Sequence, residues 1–152
     1  MPPPGASAAR PFRARDRDPA FALKSRARDA WPVITESSTG LDQLSLENLV
    51  ALHLRKACDF WTDTAQGDFE LRYIRDKEGR EVDFLILRDK APFMLVECKT
   101  SDTTLSPALE RFATALSLRK GFQLVDKPGY DRKYAESGLR VLSYEAFLAG
   151  LV

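Results

Sequence analysis

The apolar positions of the chain change period several times, and each change marks an element. From about Leu41 to Asp59, Leu46, Leu49, Val50, His53, Leu54 and Ala57 recur at helical spacing after Ser45, a residue suited to cap a helix; the pattern predicts an amphipathic helix. Three strand-like runs follow: Phe69 to Arg75, Glu81 to Arg88 and Phe93 to Lys99. Short polar links around Lys77-Glu78-Gly79-Arg80 and Asp89-Lys90-Ala91-Pro92 separate them and predict hairpins. Ser106-Pro107 then reads as a cap with proline at the first helical position, opening a helix through Leu105, Leu109, Phe112, Ala113 and Leu116 that ends at Gly121. Phe122 to Val125 is a further short strand, the apolar run Leu139 to Leu142 follows, and a last helix is expected from about Ser143 to Leu151.

A strand, a crossover helix and a strand of one sheet are parallel and right-handed. The order therefore predicts an α/β fold: an αβββαβ core with a mixed sheet flanked by helices. Met1 to about Ser38 is different. Prolines at 2, 3, 4, 11, 19 and 32 interrupt any period, and the segment is expected to be a disordered or weakly structured Arg/Pro-rich leader ahead of one domain spanning 39–152. The leader reads as a solvated extension or as an arm for nucleic acid or a protein partner.

Strand register gathers the chemistry. A turn at Lys90 sets Asp83 opposite Glu97, and alternation puts Lys99 on the face of Glu97, with Val82, Phe84, Ile86, Met94, Val96 and Cys98 on the other. The same arithmetic about Glu78 adds Tyr73 to the polar row. Two carboxylates directly opposite in a sheet repel unless something compensates, and a bound cation does so. Mg²⁺ or Mn²⁺ is the expected cofactor, since Mg²⁺ commonly takes one or two protein carboxylates and keeps several waters. Asp83 and Glu97 are the candidate metal ligands. Glu47, on the border of the helical apolar stripe, is a further ligand or a base acting through water. Lys99 is the candidate catalytic residue, orienting water or neutralising charge that grows on a phosphoryl oxygen. The competing reading is a partly buried salt bridge of Lys99 with Glu97 or Asp83, with Arg75 or Arg80 sharing the load.

These stretches resemble a known family. Leu46-Glu47-Asn48-Leu49-Val50-Ala51, the run from Tyr73 to Phe84 (YIRDKEGREVDF) and Val96-Glu97-Cys98-Lys99-Thr100 look like the C-terminal domain of unknown function in a family of bacterial and archaeal AAA-type ATPases, itself similar to the PD-(D/E)XK, restriction-endonuclease-like superfamily. The resemblance runs from about Leu41 to Val152. It implies that Glu47 is the helix glutamate, Asp83 the motif aspartate, and Glu97 with Lys99 the Glu-x-Lys pair. It also implies Mg²⁺ or Mn²⁺ on the acids, helped by the carbonyl of Cys98. None of the eight glycines belongs to a phosphate-binding G-x-x-x-x-G-K-[ST] loop, so the ATPase module of the relatives is absent here. The expected function is a metal-dependent nuclease on nucleic acid, most naturally DNA. The alternative is a catalytically inactive module of the same fold used for partner recognition or homodimer formation.

Charge and composition refine this picture. Residues 1–30 hold seven Lys or Arg against three Asp, so the body carries a net negative charge out of an overall +1, which argues against tight nonspecific DNA binding by the body alone. No apolar run is long enough to cross a bilayer. Two cysteines, Cys58 and Cys98, do not make a disulfide framework and are expected as free thiols in a cytoplasmic protein. His53 is expected at the core boundary, Cys98 as a buried thiol, and Cys58 without a base to activate it. Trp31 and Trp61 are expected as packing anchors, and Gln123 as an edge-strand surface residue rather than a polar auxiliary of the site. Arg72, Arg75, Arg80 and Arg88 are expected mostly in solvent, with contact to a phosphate backbone as the alternative.

Overall fold

The computed structural model describes residues 21–24 and 43–151. The elements are β1 (Phe21–Lys24), α1 (Gln43–Asp63), β2 (Phe69–Asp76), β3 (Glu81–Arg88), β4 (Ala91–Lys99), α2 (Pro107–Ala115), β5 (Gly121–Val125), β6 (Asp131–Lys133), β7 (Leu139–Ser143) and α3 (Tyr144–Ala149). They form one seven-stranded mixed sheet in the order β1-β2-β3-β4-β5-β7-β6. β1 to β4 run antiparallel to their neighbours, β5 joins β4 in parallel after the α2 crossover, and β7 lies parallel to β5. The expected α/β core is present, extended by β1, β6 and β7. β1 falls inside the stretch read as a leader; the remainder of that stretch, with Trp31, lies outside the described residues.

Two apolar clusters hold the layers together. Under α1, residues Leu46, Val50, Leu54 and Ala57 pack on Phe84, Ile86, Met94, Val96, Cys98, Leu124 and Leu142. On the opposite face, Leu109, Phe112 and Ala113 of α2 cover Ile74, Val82, Leu85, Leu87, Leu95 and Leu139. Helix α1 runs four residues beyond the expected Asp59 because Trp61, one further step on the buried row, also packs on the first cluster. Ser45 lies within α1 rather than capping it. In α2 the expected cap is realised: Ser106 accepts a hydrogen bond from the Leu109 N–H, and Pro107 follows. That helix stops at Ala115, short of Gly121, because Ser117 turns to φ +54° and the Leu118 N–H returns to the Ala113 carbonyl at 2.8 Å.

Both hairpins form. The β3–β4 turn is the two residues Asp89 and Lys90, each with positive φ (51° and 65°), the conformation that matches strand twist. Two bulges break strict alternation. Between the pairs Arg72↔Leu85 and Ile74↔Val82, β3 carries one more residue than β2; between Ile86↔Met94 and Leu87↔Pro92, β4 carries one more than β3. The first bulge corrects the expected facing: Val82 sits in the α2-side cluster with Leu85, not beside Phe84. Tyr73 falls at this bulge and is half-buried.

Candidate functional site

The pairs Phe84↔Val96 and Leu85↔Leu95 keep the expected register, so Asp83 and Glu97 are the next neighbours across the β3–β4 ladder. Their setting is narrower than a polar sheet face. Leucines bury the rest of the Glu97 face against α2, and the acids are confined to the end of the sheet where β4 finishes and α1 begins.

Glu97 is 4% exposed. One of its oxygens, Oε1, receives the Lys99 ammonium at 2.7 Å, while Oε2 is buried without a hydrogen-bond partner among the described residues. Burial raises its pKa against the opposing pull of Lys99. Asp83 Oδ2 accepts a hydrogen bond from the Cys98 N–H at 2.7 Å. Burial first, and then the negative charge of Glu97, nonetheless push the Asp83 carboxyl up to about 7. Burial alone would lower the Lys99 pKa; its hydrogen bond to Glu97 overrides this and holds it above the ordinary value. The site is thus two carboxylates that burial and mutual repulsion disfavour as a pair of anions, with one ammonium held on Glu97.

The α1 side supplies Glu47 and a residue that periodicity does not single out, Gln43. The Gln43 Nε2 donates to Glu47 Oε1 at 3.0 Å and to the Cys98 carbonyl at 2.6 Å, and its Oε1 accepts from the Thr100 hydroxyl at 3.2 Å. Glu47 is close enough to act electrostatically on Asp83 and Glu97. The structure therefore brings Glu47, Asp83, Glu97 and Lys99 together. Gln43 was legible only as a polar residue one turn before Glu47, at the i−4 position that shares its helix face.

Gln123 corrects the sequence reading outright. It lies on β5, an interior strand, paired with Glu97 and 0% exposed. Its Oε1 accepts from the Ser106 N–H at 2.7 Å, and its Nε2 donates to the Thr104 carbonyl at 2.8 Å and the Asp102 carbonyl at 2.9 Å. One buried amide thereby fixes the 100–106 segment that leaves Lys99. From the other side the Tyr144 hydroxyl donates to the Lys99 carbonyl at 3.0 Å.

Other expected residues fall elsewhere. Arg80 pairs with Asp76 at 2.7 Å and with Glu78, and the exposed Arg75 makes no ion pair with Glu97 or Asp83 among the described residues, so neither shares the load at Glu97; Arg72 pairs with Glu70. Cys98 is a buried free thiol on the α1 side, His53 is half-buried, and Cys58 is a buried free thiol whose pKa burial pushes up to about 12.

The donors present suit a hard cation sparingly. Among the described residues, no three His, Cys, Asp or Glu side chains form a ready-made metal group. Two carboxylates with an adjacent carbonyl and water still match what Mg²⁺ accepts, and the unpartnered Glu97 Oε2 is an atom such a cation would satisfy. Among the described residues, no helix is long and apolar enough to cross a membrane. Neither a curated protein nor a solved structure matches the chain. Residues 44–147, spanning α1 to α3 and so every residue of the acid cluster, match the family described as Domain of unknown function (DUF4143), and the chain belongs to that family.

Proposed function

We propose that the end of the sheet at Asp83 and Glu97 is a divalent-cation site for the hydrolysis of nucleic-acid phosphodiesters, with DNA the expected substrate in a cytoplasmic setting. The observation that carries the reading is Glu97: a buried carboxylate with one oxygen on Lys99, the other without a partner, and a second carboxylate across the ladder. Nothing in core packing favours two neighbouring acids there. The similarity of these motifs to the tail domain of AAA-type ATPases, and through it to PD-(D/E)XK nucleases, belongs to the same proposal.

In this reading Asp83 and Glu97 hold the cation, and Glu47 supports it or accepts a proton through water. The cation would neutralise phosphoryl oxygens and acidify water. The Lys99 ammonium, held by Glu97, sits at the open edge of the pair with one third of its side chain exposed. There it can meet charge developing on a phosphoryl oxygen and position the attacking water. The Cys98 N–H fixes the Asp83 carboxylate, and Gln43 orients Glu47. The test is Mn²⁺ calorimetry beside cleavage of single-stranded, duplex and branched DNA and of RNA, with Lys99→Ala as control. Metal-dependent cleavage lost in that variant supports the reading; absence of both metal binding and cleavage refutes it.

A second reading, an inactive module that recognises a protein partner or dimerises, is favoured by a different observation. Four large apolar side chains of α1, Leu44, Leu49, Leu52 and Phe60, are 37–54% exposed. A concentration-dependent mass in solution, abolished by Leu52→Lys, would support it.

A further inference from the structure

The last turn of α1 and the neighbouring ends of β2, β3 and β4 frame a second feature, a depression open to solvent of about 430 Å³ lined by Trp61, Ala65, Gln66, Phe69, Arg88 and Phe93. That is within the usual range for small-molecule sites. Its walls are aromatic. The Trp61 and Phe69 centroids are 5.1 Å apart and tilted by 55°, and Phe69 and Phe93 are 5.4 Å apart and nearly perpendicular at 84°. All three rings are half-buried, and each packs on the α1-side core while lining the opening.

The backbone is shaped to this end. Strict alternation would put Phe93 on the face of Leu95 and Glu97; the β4 bulge turns it onto the α1 side, where it completes the third wall. Gly67, at φ +141°, leaves space that the Arg88 side chain fills, since a Cβ there would stand 2.9 Å from Arg88 Nε. The rim is cationic. The Arg88 guanidinium lies 5.7 Å from the Phe69 centroid and the Lys120 ammonium 4.3 Å from that of Phe93. Asp89, 3.7 Å from Arg88, offsets part of one charge; Lys120 lies beside the lining residues, over the Phe93 ring.

These features choose the ligand. Two cations on the ring faces repel a cationic guest, which excludes the ammonium ligands that aromatic cages usually take. A flat ring carrying a negative charge satisfies walls and rim together, because aromatic faces stack any base and Lys or Arg meets its phosphate. We infer that this cavity holds one unpaired base of a single-stranded nucleic acid, the ring against the wall that Trp61, Phe69 and Phe93 form together and the phosphate on Arg88 and Lys120. It names the substrate class of the phosphodiester reading and rests on that reading for its purpose, but not for the binding itself. Glu47 and Trp61 stand at the two ends of α1, about 20 Å apart at the helical rise, so a strand seated here would cross several nucleotides before the acids.

The experiment starts from Trp31→Phe, which leaves Trp61 as the one reporter of the chain's two tryptophans. A single-stranded oligothymidine, titrated in EDTA, should quench its fluorescence to saturation, and the matching duplex should quench much less. By anisotropy of the labelled strand, Phe93→Leu and the exposed Arg88→Gln should each weaken binding about tenfold. Arg88→Gln should also lower the salt slope by about one, with unchanged thermal melts showing both variants folded. Absence of quenching overturns the inference, as do equal affinities for parent and both variants, or quenching by an apolar peptide and not by the strand. EDTA separates binding from cleavage, so a strand that binds in EDTA and stays uncut once Mn²⁺ is supplied refutes the cleavage reading alone. A strand that is cut while Phe93→Leu binds it normally refutes only the base pocket.

Discussion

Replacing Asp83 by Asn isolates the electrostatic strain at the acid pair. The amide oxygen can still accept the Cys98 N–H, so geometry is kept while the charge goes. In the parent the carboxyl is raised from 3.8 to about 7, so between those values the folded state holds a proton the unfolded chain has released. Stability must therefore fall as pH rises from about 4 to about 7 and stay low above it. At 1.36 kcal/mol per pKa unit, three units set a ceiling of roughly 4 kcal/mol. Water reaching the half-buried rim reduces it, and Glu97, raised for the same reason, titrates with Asp83 as a pair. We expect the variant to be more stable than the parent by about 1–3 kcal/mol at pH 8 and equal to it near pH 4. Urea unfolding in EDTA across this range measures it. Other carboxylates slope the opposite way: hydrogen bonds from Thr104 and Arg140 hold Asp102 and Asp131 below their ordinary values. The parent-minus-variant difference removes their contribution. A variant less stable than the parent at pH 8, or a difference that does not change with pH, refutes the reasoning. Mn²⁺ should then reverse the order, adding about 4.1 kcal/mol to the parent at a thousand times its Kd and nothing to the variant.

Three further outcomes follow from the same geometry. Lys99→Ala should abolish metal-dependent cleavage while leaving Mn²⁺ affinity within a few-fold by calorimetry, and should cost about 1–2 kcal/mol in urea unfolding because Glu97 loses its ion-pair partner. Gln123→Leu keeps the volume but strands the Ser106 N–H and two carbonyls, so a loss of roughly 2–4 kcal/mol and faster amide exchange at Ser106 are expected. Neither Cys58 nor Cys98 should react with a thiol reagent until the protein unfolds, because burial pushes both thiols up; Cys98 modified in the folded state would contradict its place under α1.

Much of this was legible where periodicity is strict. The two-residue turn alone would set Asp83 opposite Val96, and the bulge at Phe93 restores the expected register that brings Asp83 beside Glu97; Ser106-Pro107 announces α2 by chemistry that is purely local. What was hidden depends on partners distant in sequence. A bulge leaves no mark on a single strand, because it is a mismatch between two, so Val82 was assigned to the wrong side and nothing marked Phe93 as turning toward α1. Gln123 looks like a surface amide until β7 closes over β5 and the 100–106 segment supplies its three bonds. β6 is three exposed polar residues with no apolar alternation to betray it.

The strand β1 bears on how much of the chain the fold needs. It pairs with β2 from Phe21↔Asp76 to Lys24↔Tyr73, yet it precedes the family match, which starts at residue 44. A protein trimmed to the matched span would keep every acid of the site and lose the outermost ladder. The edge of β2 would then be uncovered along Tyr73 to Asp76 as well, leaving the whole strand an open template for edge-to-edge association between molecules. On this view β1 acts as a guard against aggregation, and a trimmed chain should self-associate in light scattering where the full chain does not.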